Sequence, residues 1–162
     1  MKRTGQMFSL AIALSALILT SCDLGETAVN VPLKYDRTKY GWTLMEDVSF
    51  DGKPLLPEIV EYIRPGEVYL DGDVMRQRAK ELGANLGQRH LEYLEDHQEL
   101  IPKEWRKYYL VATGTVWRVG FGDKYRYFTC LRWDGYDNRW WLDFGWLGHE
   151  WGGLGRIVSL YK

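Results

Sequence analysis

Between Val74 and Ile101 the apolar residues recur every three to four positions, whereas from Tyr108 to Tyr161 they alternate with a period of two. The first pattern predicts helices and the second predicts strands. Asp71-Gly72-Asp73 supplies an N-cap and first-turn negative charge for a helix over Val74 to Leu82, which stops at Gly83. A second helix is expected from Leu86 to about Ile101, ended by Pro102. At 100° per residue, Leu86, His90, Tyr93, Leu94, His97, Leu100 and Ile101 fall on one side. Gln88, Arg89, Glu92, Glu95, Asp96 and Glu99 fall largely opposite, on what reads as a solvent face.

Four runs, Tyr108–Val119, Tyr125–Trp133, Arg139–Leu147 and Arg156–Tyr161, are rich in β-branched and aromatic residues. Gly122-Asp123, Asp134-Gly135 and the Gly148–Gly155 segment separate them. In the third run Trp140, Leu142, Phe144 and Trp146 share one face, and Arg139, Trp141, Asp143 and Gly145 the other. Upstream, Asp51-Gly52, Pro54, Pro57 and Pro65-Gly66 punctuate short extended pieces. Pro65-Gly66 fits the centre of a type II turn and predicts a hairpin of Ile59–Ile63 with Glu67–Leu70. The expected fold class is α+β, with two helices packed on a C-terminal four-stranded antiparallel β-meander.

The N-terminus follows neither pattern. Lys2 and Arg3 precede an apolar run from Phe8 to Leu19 that is too short to span a bilayer comfortably, and small residues follow, the order of a secretory signal. Leu19-Thr20-Ser21-Cys22 resembles the lipobox of bacterial lipoproteins. The resemblance covers residues 1–22 and implies that Cys22 is acylated and becomes the first mature residue. The implied partner is then a membrane, held through the lipid anchor on Cys22, with the domain outside the cytoplasm. Asp23 leaves inner and outer membrane both open. The organisation expected is a signal peptide over 1–21, a tether over 22–33 and a single α+β domain over 34–162.

Charge changes the picture again. From Cys22 to Ile101 there are 9 basic and 16 acidic residues, whereas from Pro102 to Lys162 there are 10 basic and 6 acidic. Seven of the eight tryptophans also fall after Pro102, so an acidic front half meets a basic, aromatic back half. With Cys22 acylated, Cys130 has no cysteine partner and reads as a small buried hydrophobe.

Catalytic signatures are absent: there is no His-Glu-x-x-His, Gly-x-Ser-x-Gly, Walker loop or Gly-x-Gly-x-x-Gly, and no cofactor is implied. His90 and His97 lie seven apart, roughly 10.5 Å along a helix, too far to share one metal ion, so no metal is expected. Asp134 to Asn138 lacks the oxygen spacing of a calcium loop and reads as a hairpin turn. Trp141, Arg139, Arg126, Arg132 and Trp151, with Arg118 nearby, form a candidate aromatic, basic binding surface. His149 and Glu150, in a glycine-rich connection, are the catalytic alternative. The expected function is a non-enzymatic, lipid-anchored envelope domain that binds a protein or cell-wall polymer. A small envelope hydrolase and a purely structural lipoprotein are the rivals. An exported domain of net negative charge fits nucleic acid poorly.

Overall fold

The computed structural model describes residues 30–161; the signal segment, Cys22 and the tether up to residue 29 lie outside them. In chain order the elements are β1 (Trp42–Glu46), β2 (Pro57–Val60), β3 (Tyr69–Asp71), α1 (Gly72–Glu81) and α2 (Gln88–Asp96), followed by β4 (Tyr109–Val119), β5 (Arg126–Asp134), β6 (Arg139–Trp146), β7 (Glu150–Gly152) and β8 (Gly155–Leu160). The architecture is α+β, two helices on a mostly antiparallel six-stranded sheet.

β4 is the spine. It pairs with β5 along one side, while its other side is shared, with β8 parallel to its start (Tyr109↔Gly155) and β1 antiparallel to its end (Trp42↔Val119). β2 flanks β8 and β6 flanks β5, giving the order β2-β8-β4-β5-β6. The expected four-stranded meander therefore stops at three strands. The fourth run, now β8, is shut out from β6 because α2 has already closed that edge. Gln98 accepts from the Trp140 amide at 2.8 Å and donates to the Trp140 carbonyl at 3.1 Å, and Glu95 accepts from the Leu142 amide at 3.0 Å. Side chains thus stand in for a neighbouring strand, which also protects β6 from pairing with another chain.

The upstream hairpin is corrected in the same way. The Pro65-Gly66 turn forms, with Gly66 at φ 88° and the Glu67 amide donating to the Arg64 carbonyl, but its arms take other partners. β2 pairs with β8, and β3 pairs with β7 as a separate two-stranded sheet.

Both faces of the central strands are covered. α2 packs Leu91 and Leu94 against Leu110, Ala112, Leu131, Trp140 and Val158. α1 packs Met75 and Ala79 against Val111, Phe128, Cys130 and Ile157 on the opposite face. That gives β4 an unbroken buried run from Leu110 to Trp117 instead of an alternating one. Gly114 makes the close fit possible, because a Cβ there would meet Val48 at 2.6 Å and the Leu86 carbonyl at 2.7 Å.

α1 begins and ends as expected. Asp71 caps it by accepting from the Asp73 amide at 2.8 Å, and Gly83 leaves it at φ 67°. α2 is shorter than its periodicity suggests, passing at His97 into a 3-10 turn over Gln98–Leu100. Its polar side is not a solvent face, since Gln88, Arg89, Glu92 and Glu95 are all buried. The strap of residues 30–36 lies over them. The Lys34 and Tyr35 amides donate to Glu92, the Tyr35 hydroxyl donates to Glu95, and Arg89 donates to the Val31 carbonyl and pairs with Asp47. These charges were placed for a neighbour that amphipathicity cannot reveal.

Candidate functional site

β6 and β8 are parallel to one another, so the segment between them returns across the face of the sheet. Trp151 fixes that return. Its ring meets Phe128 edge-on at 4.8 Å, it fills the space over Gly145, and its indole N–H donates to the Trp146 carbonyl at 3.1 Å. β7 then pairs with β3, setting Leu70 opposite Trp151 and Asp71 opposite Glu150.

The glycines beyond Trp151 allow neighbours to approach the backbone. The buried Tyr62 hydroxyl donates to the Gly152 carbonyl at 2.7 Å, and a Cβ at Gly155 would stand 2.3 Å from that hydroxyl oxygen. Burial pushes the Tyr62 phenol up to about 12, with Arg156 opposing, so it stays protonated and keeps donating. Arg156 donates to the carbonyls of Gly153 and Gly155, pairs with Glu61 at 3.3 Å and covers the Tyr108 ring at 4.3 Å. A loop rich in glycine is thereby held in one shape.

The result is a cleft of about 640 Å³ lined by Val68, Tyr69, Tyr109, His149, Trp151 and Leu154, with Glu150 and the glycines between them. Val68, Tyr69 and Leu154 are each more than 60% exposed, at 66%, 61% and 62%. Apolar side chains left this open on a pinned frame are the makings of a binding surface. His149 stands edge-on to Trp151 at 6.1 Å. Both His149 and Glu150 border the cleft and both are exposed. Among the described residues, no hydrogen bond joins His149 to Glu150 or to another carboxylate.

The five residues of the expected binding surface share one face of the fold. Arg126 and Arg132 on β5 project to the same side as Trp141 and Arg139 on β6, and Trp151 lies over that side. They do not form one surface. Arg126 is drawn to α1 by an ion pair with Asp73 at 2.5 Å, and Trp151 fills the middle. Arg132, 3.6 Å from Asp143, and Arg139, stacked on Trp141 at 3.8 Å, remain at the strand ends. Arg118 stands beside Arg126 in register, its Nε buried with no hydrogen-bond partner among the described residues.

The histidines of α2 have local duties. The Gly87 amide donates to His90 Nδ1 at 3.2 Å, which caps the helix start, and His97 stacks on Tyr93 at 4.0 Å. Burial holds His90 below its usual value. Cys130 is buried, and its thiol is pushed up to about 12. Asp134 organises the β5–β6 turn by accepting from the Tyr136 amide, with Asn138 at φ 50°.

The His149 loop is visible in the sequence, but its opposite wall is not: the Glu67–Leu70 run reads as a hairpin arm for Ile59–Ile63, and nothing in it marks Val68 and Tyr69, or Tyr109 and Tyr62, as neighbours of the loop. Compared with protein-family models, curated proteins and solved structures, the chain matches none.

Proposed function

We propose that this chain is a lipid-anchored domain of the bacterial envelope that binds a cell-wall glycan or a partner protein in the cleft beside β7. The observation that carries the reading is the pinned, open cleft: exposed Tyr69, Val68 and Leu154 on one rigid frame, with His149 and Glu150 as polar groups at its margin. Tyrosine and tryptophan rings offer apolar faces to sugar rings or apolar side chains, and the marginal imidazole and carboxylate give direction. Arg132 and Arg139, with Trp141 under Arg139, offer a second place for a partner to touch. The anchor is Cys22, on the strength of the Leu19-Thr20-Ser21-Cys22 segment.

The test is titration of the detergent-extracted chain with soluble peptidoglycan fragments, alongside recovery of envelope proteins that co-purify with it. Saturable binding that weakens about tenfold or more in Tyr69→Ala supports the reading. Binding to neither class of ligand removes it. A hydrolase remains the alternative because His149 and Glu150 border the same cleft. It predicts that His149→Ala abolishes turnover of those fragments while leaving their affinity in place.

A further inference from the structure

The end of the sheet opposite the Tyr109–Leu154 side of the cleft carries a different surface. β4 and β5 are joined by a hairpin whose apex, Phe121, is wholly exposed, and Tyr125 beside it is also exposed. Gly120 and Gly122 bracket Phe121 with φ of 71° and 80°, so the backbone itself turns the ring outward. The half-buried Trp146 supports the loop from below, its indole N–H donating to the Lys124 carbonyl at 3.1 Å. β1 starts beside Val119, and the turn just before it therefore brings exposed Tyr40 and Lys39 to the same end.

The charges at this end suit an anionic bilayer surface. Lys124 Nζ lies 5.3 Å from the Tyr125 ring centre and Lys39 Nζ 5.2 Å from that of Tyr40. Aromatic rings with lysines that reach past them are the residue types that settle at a membrane–water interface. The acids at this end are Asp123, Asp36 in the Lys39 turn and Asp73, which is paired with Arg126; Lys39, Lys124, Arg126 and Arg118 outnumber them. Cys22 precedes Asn30 by eight residues, a reach of at most about 28 Å. A lipid on Cys22 would hold the point where Asn30 docks beside Phe50 within about 28 Å of a bilayer, near enough for an exposed aromatic loop elsewhere on the domain to settle on it.

We propose that the β4–β5 apex is a second membrane contact, setting Phe121 and Tyr125 into the interfacial layer of the bilayer to which the chain is anchored. The inference rests on the anchored reading for its setting, but not on what the cleft binds. Leu110 to Arg118 of β4 is matched by five residue steps of β5, so the contact holds the Tyr109–Leu154 side of the cleft roughly 20 Å or more from the lipid and its His149 side nearer. One lipid-linked strap leaves orientation free, and a second, aromatic point of contact fixes it.

The experiment uses the full chain in vesicles of phosphatidylethanolamine and phosphatidylglycerol. An environment-sensitive thiol probe is placed in Phe121→Cys, Tyr125→Cys or Leu154→Cys, with the unsubstituted chain as the labelling blank. Burial 5–10 Å deep predicts a blue-shifted probe at 121 and 125, quenched by spin-labelled lipid at least about threefold more than at 154. Equal accessibility at 121 and 154, whether both wet or both quenched, would overturn the proposal. A chain that fails to float with vesicles would overturn the anchored reading and this inference together. Flotation with a wet apex overturns this inference alone.

Discussion

Removing the Glu92 carboxylate should release the strap that joins the N-terminus to the domain. Glu92 is buried and accepts three hydrogen bonds: from the Lys34 amide at 3.0 Å, the Tyr35 amide at 2.9 Å and the Gln88 side chain at 2.7 Å. In Glu92→Ala those donors lose a charged acceptor. Each donor left dry costs about 1–3 kcal/mol, and water entering the vacated space serves some of them, so the expected loss is about 3–4 kcal/mol. That is a large share of a single domain's stability. Glu92→Gln keeps one oxygen acceptor and should fall between the two. Urea unfolding gives the magnitude, and amide hydrogen exchange gives the place, with Lys34 and Tyr35 losing protection before the sheet does. A loss under about 1 kcal/mol with both amides still protected would refute the reasoning, because the strap would then be held by something else.

Four further outcomes follow from the packing and titration of single groups. Gly145→Ala sets a methyl 2.7 Å from Phe128 and 2.8 Å from Trp151. It should cost about 1–3 kcal/mol by thermal or urea unfolding and weaken ligand binding by displacing Trp151. Tyr62→Phe removes the bond to Gly152 and should cost about 1 kcal/mol while loosening residues 152–155 in hydrogen exchange. His90 is held below 6.5 in the folded chain, so the unfolded chain binds the proton first as pH falls. Stability should decline with falling pH from about 6.5 down to the depressed value, and His90→Gln, which can still accept from Gly87, should flatten that decline. Cys130 should resist thiol reagents at neutral pH until the protein is unfolded; prompt labelling of the native chain would contradict its burial.

The elements were legible where one local signal sufficed. Asp71 and Gly83 mark the ends of α1 because a cap and a left-handed exit depend on the residue itself. The runs that became β4, β5, β6 and β8 declared themselves by composition, but strand order did not. Whether β8 lies beside β6 or β4 is decided by Gln98 and Glu95 closing the β6 edge, a contact between segments more than forty residues apart. Burial failed for a related reason: Glu92 and Glu95 look like solvent residues until the strap is seen to supply their donors. Arg126, Arg132, Arg139 and Trp141 reach one face because their parity along β5 and β6 is local, and Trp151 arrives over that face from β7. That α1 and Trp151 would divide the face was not local, nor was the wall that Tyr69 and Tyr109 raise opposite the His149 loop.

The proposed function requires that the chain be attached through Cys22, and mass spectrometry of the protein extracted from membranes tests that most directly. The expected result is a mature chain that begins at Cys22 and carries acyl groups on that residue. A chain still beginning at Met1, with an unmodified thiol at Cys22 and recovered from the soluble cytosolic fraction, would contradict it.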